Sequence, residues 1–228
     1  MVQSSELKTS LKTRIAIIVI AVMLLGSTVA LYMGIVMSYG NGGTSTVAQS
    51  EKEERLQELF NEYQERLAAQ AAELSTKYFD TFKPQLERVR AFNAADITAI
   101  ATKDLVVGTG AEMTEGDTNY MAYYLGWLAD ETIFDSSFDS TDSPTALKTP
   151  LAGGNLIEGW NQGILGMKIG GIREISIPAE LAYGGEENGS IPANSPLKFV
   201  VMLIDPVEQI DWPEEMYELY GELYGNAE

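Results

Sequence analysis

Trp160 stands inside the stretch LIEGWNQGILGMKIGG, residues 156 to 171, whose only charged side chains are Glu158 and Lys168. An indole among apolar residues can pack a core or receive an apolar ring, but it offers neither a nucleophile nor a titrating proton. The chain has no histidine, which excludes Ser-His-Asp and Cys-His catalysis, His-ligated zinc and imidazole acid–base chemistry. It has no cysteine either, so thiolate chemistry, disulfides and lipid attachment at Cys are excluded, while the redox compartment stays open. Asp135, Asp139 and Asp142 lack the alternating spacing of a calcium loop and read as solvated loop carboxylates. Gly108-Thr109-Gly110 lacks the third glycine of a dinucleotide fingerprint and reads as a turn, and Asn188-Gly189-Ser190 fits a glycosylation acceptor only in a host that glycosylates. No metal and no cofactor is expected.

With 228 residues and 45% hydrophobic side chains, the chain has room for one ordinary domain plus accessory segments. Its 33 Asp and Glu against 15 Lys and Arg give a net charge of -18, which repels phosphate backbones, so nucleic acid is not an expected partner. The charge is uneven. Lys8, Lys12 and Arg14 dominate the first fourteen residues, whereas the tail from Pro206 carries acidic side chains and no basic one.

The elements that must position Trp160 follow from periodicity. Residues 15–38 carry no charge and as a helix would be roughly 35 Å long, enough to cross a bilayer core. The run exceeds a signal-peptide core, which favours an uncleaved anchor, although Thr28-Val29-Ala30 and Thr46-Val47-Ala48 keep a cleaved signal peptide open. The basic residues before the span assign 1–14 to the cytoplasm and the rest to the outer side of a single-pass membrane protein. A flexible linker is expected over 39–50. A helical stalk is expected over 51–100, with Leu56, Phe60, Tyr63, Leu67, Ala71, Leu74 and Tyr78 forming a stripe. Such a stripe docks on the chain's own domain or, with Gln70 and Lys77 interrupting the heptad, pairs two copies as a homodimer. Pro84 should end this helix, and a second short one is expected around Gln85–Phe92.

From 101 to 206 the pattern is that of an α+β domain. Strands are expected at Asn119–Leu128, Gly171–Ile177 and Leu197–Ile204, with one short helix at Ile157–Leu165, giving an antiparallel sheet covered by a small helix. In the acidic tail, 207–228, Trp212, Met216, Leu219, Tyr220 and Leu223 form one face of a short helix that docks on the domain or binds a partner.

Within that domain, Tyr124-Leu125-Gly126, Phe134-Asp135-Ser136-Ser137, Leu156-Ile157-Glu158-Gly159-Trp160 and Gly166-Met167-Lys168-Ile169-Gly170 occur in order. They are followed by Ile177-Pro178, Ala182-Tyr183-Gly184, Ile191-Pro192 and Leu197-Lys198-Phe199. In this order and spacing the segment resembles an FKBP-type peptidyl-prolyl cis/trans isomerase. The resemblance implies a curved antiparallel half-barrel wrapped around a short helix. It implies that Trp160 floors an apolar pocket for proline, walled by Tyr124, Phe134, Leu147, Leu156, Ile157, Tyr183, Ile191 and Phe199. The catalytic contribution then comes from Asp135 near the reacting carbonyl carbon, and from the Tyr183 hydroxyl and the Ile157 N–H as donors.

Two departures stand out. An arginine that pairs with the motif's aspartate falls at Thr141, leaving Asp135 without that partner. A pocket aromatic falls at Leu147, where an extra residue leaves the register open. Glu186 and Glu187 make the loop after Tyr183 acidic, which would shift sequence preference towards basic or hydrophobic flanks. The expected activity is isomerisation of Xaa-Pro bonds in unfolded or nascent polypeptides outside the membrane. The alternative is a membrane-tethered chaperone or partner-binding module that uses the same groove with little turnover.

Overall fold

The computed structural model describes residues 47–154 and 156–224. The expected cytoplasmic segment, the transmembrane span and most of the linker lie outside the described residues. Among the described residues no helix is long and apolar enough to cross a membrane. Helix α1, Val47–Phe82, begins four residues before the expected stalk.

Two compact units are formed. The smaller takes the described residues up to Tyr63 together with those from Asp211 onward. In it Leu56, Leu59 and Tyr63 recur on one face of α1 and are buried. The tail helix of this unit, Glu214–Tyr224, buries Met216. Trp212 sets its ring edge-on to Tyr63 at 6.3 Å, and Arg55 donates to both carboxylate oxygens of Glu215 at 2.8 and 2.9 Å. The tail's apolar face is therefore occupied within its own unit.

The larger unit, Gln64–Ile210, holds the sheet. Its strands are β1 Ala101–Val106, β2 Met121–Trp127, β3 Ile133–Ser136, β4 Leu151–Ala152, β5 Ile172–Ile177 and β6 Leu197–Ile204. The order is β1-β5-β6-β2-β3 with β4 also on β2, and all pairings are antiparallel. Register shifts at Asp104/Val106 and Gly126/Trp127 bend the edges. The expected strands match β2, β5 and β6 to within two residues at each end. The edge strand β1 is mostly exposed, so it lacks an apolar alternation that would announce it.

Both faces of the central strands are covered. Tyr120, Ala122, Phe199, Val201, Ile175 and Ile177 belong to a core shared with the short helix α2, Glu158–Gly163. Tyr123, Leu125, Trp127, Val200 and Met202 belong to a second core on the other face, closed by Leu74, Tyr78, Phe79 and Phe82 of α1. Burying side chains of this size contributes about 1.5–3 kcal/mol each. The later half of α1 thus packs within the larger unit, which begins at Gln64. The stripe that the sequence offers to a second copy is buried or half-buried within the chain.

Beyond Phe82 the chain forms a 3-10 turn at Lys83–Arg88 with Pro84 in its first turn, in place of the expected second helix. The segment after it runs extended beside β2, where Trp127 Nε1 donates to the Arg90 carbonyl at 3.1 Å and the Phe92 N–H to the Ala129 carbonyl at 3.1 Å.

Candidate active site

Helix α2 starts with Ile157 at its N-cap, whose carbonyl accepts from the N–H of Trp160 at 3.0 Å and of Asn161 at 3.3 Å. Six residues cannot sustain a helix alone, so α2 depends on the sheet beneath it. Two glycines one turn apart permit close approach: a Cβ on Gly159 would stand 2.2 Å from Ile177 Cγ2, and one on Gly163 would stand 2.5 Å from Ile175 Cγ2. This seating points Trp160 inward, where it is 2% exposed and Nε1 donates to the Tyr120 hydroxyl at 3.1 Å.

Two aromatic rings meet the indole and a third packs behind one of them. Tyr124 and Phe199 meet it edge-on at 5.7 and 5.5 Å, and Phe134 meets Phe199 edge-on at 5.4 Å. Gly126 lies on the same face of β2 as Tyr124; a Cβ there would stand 2.5 Å from Phe134 and 2.8 Å from Phe199, so the glycine makes room for both rings. Tyr124, Phe134, Leu156 and Ile157 are only partly buried against this core, and Ile191 is 5% exposed within it. The indole is therefore a covered floor beneath partly open walls.

The polar groups lie at the rim. The Tyr124 hydroxyl donates to Asp135 Oδ2 at 2.5 Å, and Asp135 Oδ1 accepts the Ser136 N–H at 2.7 Å. Asp135, expected to lack an arginine partner, is held by the Tyr124 phenol instead. Burial first, and then the bond to Asp135, hold the Tyr124 phenol well above its usual range. Tyr183 is 36% exposed. Burial and then the Asp135 charge push its pKa up, against an opposing hydrogen bond with Asn188. Both phenols remain protonated donors near neutral pH. The Ile157 N–H has no acceptor among the described residues.

Of the residues expected in the site, Leu147 lies elsewhere. It is 3% exposed in the second core, on the α1 side of the sheet. Its N–H donates to Ser75 Oγ at 2.8 Å, and it bridges to Phe138. Leu151, partly buried against the Trp160 core, is the neighbouring apolar residue that does reach that side. Tyr120 was missed as the partner of the indole, though it shares the face of Tyr124 by strand parity.

A cleft of about 540 Å³ opens on the opposite face, near Pro84, Arg88, Arg90, Trp127, Glu174 and Lys198. Its Glu174 pairs with Lys198 at 3.1 Å and Arg88 at 3.5 Å. This charged lining suits no apolar ring and is separate from the Trp160 core. Among the described residues no cluster of carboxylates could hold a metal ion.

Sheet, short helix and indole floor define a class of prolyl isomerase folds, and the comparisons agree. Residues 110–204 match the family model described as FKBP-type peptidyl-prolyl cis-trans isomerase. The FK506-binding protein of Neisseria meningitidis serogroup A is 38% identical over 111 residues, covering 48% of this chain and 98% of that protein. FK506-binding protein 4 of Neurospora crassa is 36% identical over 124 residues, covering 54% of this chain and 26% of that much longer protein. The crystal structure of AtFKBP13 is 35% identical and covers 47% of this chain and 93% of that one, with a TM-score of 0.39. The chain belongs to the FKBP-type peptidyl-prolyl cis-trans isomerase family. Its matched segment is an isomerase domain of that type.

Proposed function

We propose that the domain receives the proline ring of an Xaa-Pro segment between Tyr124, Phe134 and Phe199, above Trp160. It would act on unfolded or nascent proteins on the outer side of a membrane in which residues 15–38 anchor it. The observation that carries the site reading is the aromatic cluster in which Tyr124 and Phe199 meet a buried indole, Phe134 meets Phe199, and the indole Nε1 is already bonded to Tyr120. That bond removes the indole's only polar demand and leaves an apolar surface.

Rotation about Xaa-Pro meets a barrier of about 18–20 kcal/mol because the twisted state gives up C–N resonance. The twisted amide carries less charge separation than the planar one, so an apolar site disfavours the ground state more than the transition state. No proton leaves the substrate, in keeping with a chain that has no histidine. In this reading the Ile157 N–H and the Tyr183 hydroxyl donate to substrate carbonyls. Asp135, oriented by Tyr124 and the Ser136 N–H, lies beside Phe134 at the rim. The uncharged run 15–38 and the basic residues before it support the anchored, outward-facing arrangement.

Protease-coupled isomerisation of Xaa-Pro peptides by the full chain in mild detergent tests the site. Trp160→Ala and Asp135→Val should each lower kcat/KM by about tenfold or more. Unchanged turnover in folded Trp160→Ala overturns the pocket, and affinity for unfolded chains without turnover favours the binding module. Digestion of the domain by protease added to intact cells is expected for the outward topology, and protection overturns it.

A further inference from the structure

The far end of α2 is held by one side chain of β5. Arg173 has a side chain only 8% exposed. Its Nη1 donates to the carbonyls of Gly163 at 3.0 Å and Leu165 at 2.8 Å, and its Nε donates to Asp104 Oδ1 at 2.6 Å. Asp104 is the residue directly opposite Arg173 across the β1–β5 pairing. The last carbonyls of a helix lack partners within the helix, so here a buried guanidinium supplies them and is itself balanced by a carboxylate. The same six-residue element carries Ile157 at its start and Trp160 in its first turn.

We propose that Arg173 is a positioning residue for the isomerase reaction. By tying the C-terminal carbonyls of α2 to β5 and β1, it fixes how deep Trp160 sits and where the Ile157 N–H is aimed. The proposal rests on the pocket reading given above. Two features argue against a purely structural clamp placed at random. The bonds go to the element that carries the floor, and that element is seated directly on the sheet through Gly159 against Ile177 and Gly163 against Ile175, so a shift at its far end is passed to Trp160. An apolar side chain of similar length would fill the space yet leave two carbonyls and Asp104 without their donor.

The test is kinetic, on the full chain and well below its melting temperature. Arg173→Met should lose about tenfold in kcat/KM, because displacement of a floor by less than an ångström is costly when orientation supplies the rate. Arg173→Lys should recover part of it. Tyr78→Ala, which weakens the opposite face of the sheet, should stay within about twofold of the parent even where its Tm falls as far. Folded Arg173→Met within about twofold of the parent overturns the proposal, as does an equal loss in Tyr78→Ala at matched Tm. If Arg173→Met does not fold, folded Arg173→Lys decides: parent-like kcat/KM overturns the proposal, and a loss beyond Tyr78→Ala supports it. Turnover that survives Trp160→Ala would fail the pocket reading, whereas turnover that survives Arg173→Met fails this inference alone.

Discussion

Tyr124 donates its hydroxyl to the Asp135 carboxylate across the β2–β3 pairing, at the rim of the aromatic cluster that contains Trp160. One residue thus contributes both an apolar wall and the group that orients the aspartate. Tyr124→Phe should keep the wall and release the carboxylate. The expected result is a several-fold fall in kcat/KM with about 1 kcal/mol lost from stability, read by peptide isomerisation and thermal melting; unchanged kinetics would remove Asp135 orientation from the mechanism.

The pH profile should be flat. With no histidine in the chain, and with the Tyr124 and Tyr183 phenols held above their ordinary range by burial first and by Asp135 next, neither phenol ionises between about pH 5 and 9. Isomerisation rates across that window should vary little, and a bell-shaped curve would point to a titrating group that the site does not contain.

The loop after β3 should open in acid. Asp139 accepts from Thr145 Oγ1 and from the N–H groups of Thr145 and Ser140, and these bonds, chiefly that of the Thr145 hydroxyl, lower its pKa to about 2. A lowered folded-state value means that the stabilisation is complete above the unfolded pKa of about 3.9 and is lost as pH falls towards about 2. The protection factor of the Thr145 amide should therefore fall over that interval and not above it, and Asp139→Asn should show the lowered protection at neutral pH.

The cover supplied by α1 should prove indispensable. A fragment starting at Lys103 would bare the second core, including Tyr123, Leu125, Trp127 and Met202, whereas one spanning 64–210 keeps Leu74, Tyr78 and Phe82 over it. The longer fragment should unfold cooperatively and the shorter should bind hydrophobic dyes and lack a near-ultraviolet signal; a cooperative 103–206 fragment would contradict the packing.

Tyr123 gives a prediction of opposite sign. It is fully buried, lies 5.9 Å from the Tyr78 ring, and has no hydrogen-bond partner for its hydroxyl among the described residues. Deleting an unpaired buried hydroxyl removes a desolvation cost, so Tyr123→Phe should be neutral or more stable by about 1 kcal/mol. A clear loss in a denaturant melt would reveal a partner for that oxygen.

What could be read from residue order was the face containing Trp160. Tyr124, Phe134, Ile157 and Phe199 each sit in a short motif whose spacing matches the strands and helix that bring them together. Leu147 was not legible for a physical reason: its side of the sheet is set by how the loop after β3 turns back, where it bridges Phe138 and donates its N–H to Ser75 on α1, and none of these contacts shows in local residue order. The cover of α1 was legible as an apolar stripe, but a stripe does not name what it covers. The role of Arg173 was not legible at all, because a lone arginine in GIREISI reads as a surface residue until Asp104 and the carbonyls of Gly163 and Leu165 are found around it.

Tyr123 and Tyr124 share a peptide bond yet face opposite cores, one under the long helix and the other beside the indole. The two layers are therefore packed separately although one amide plane joins them. A loosened outer helix should shorten the life of the fold while leaving the proline side at work.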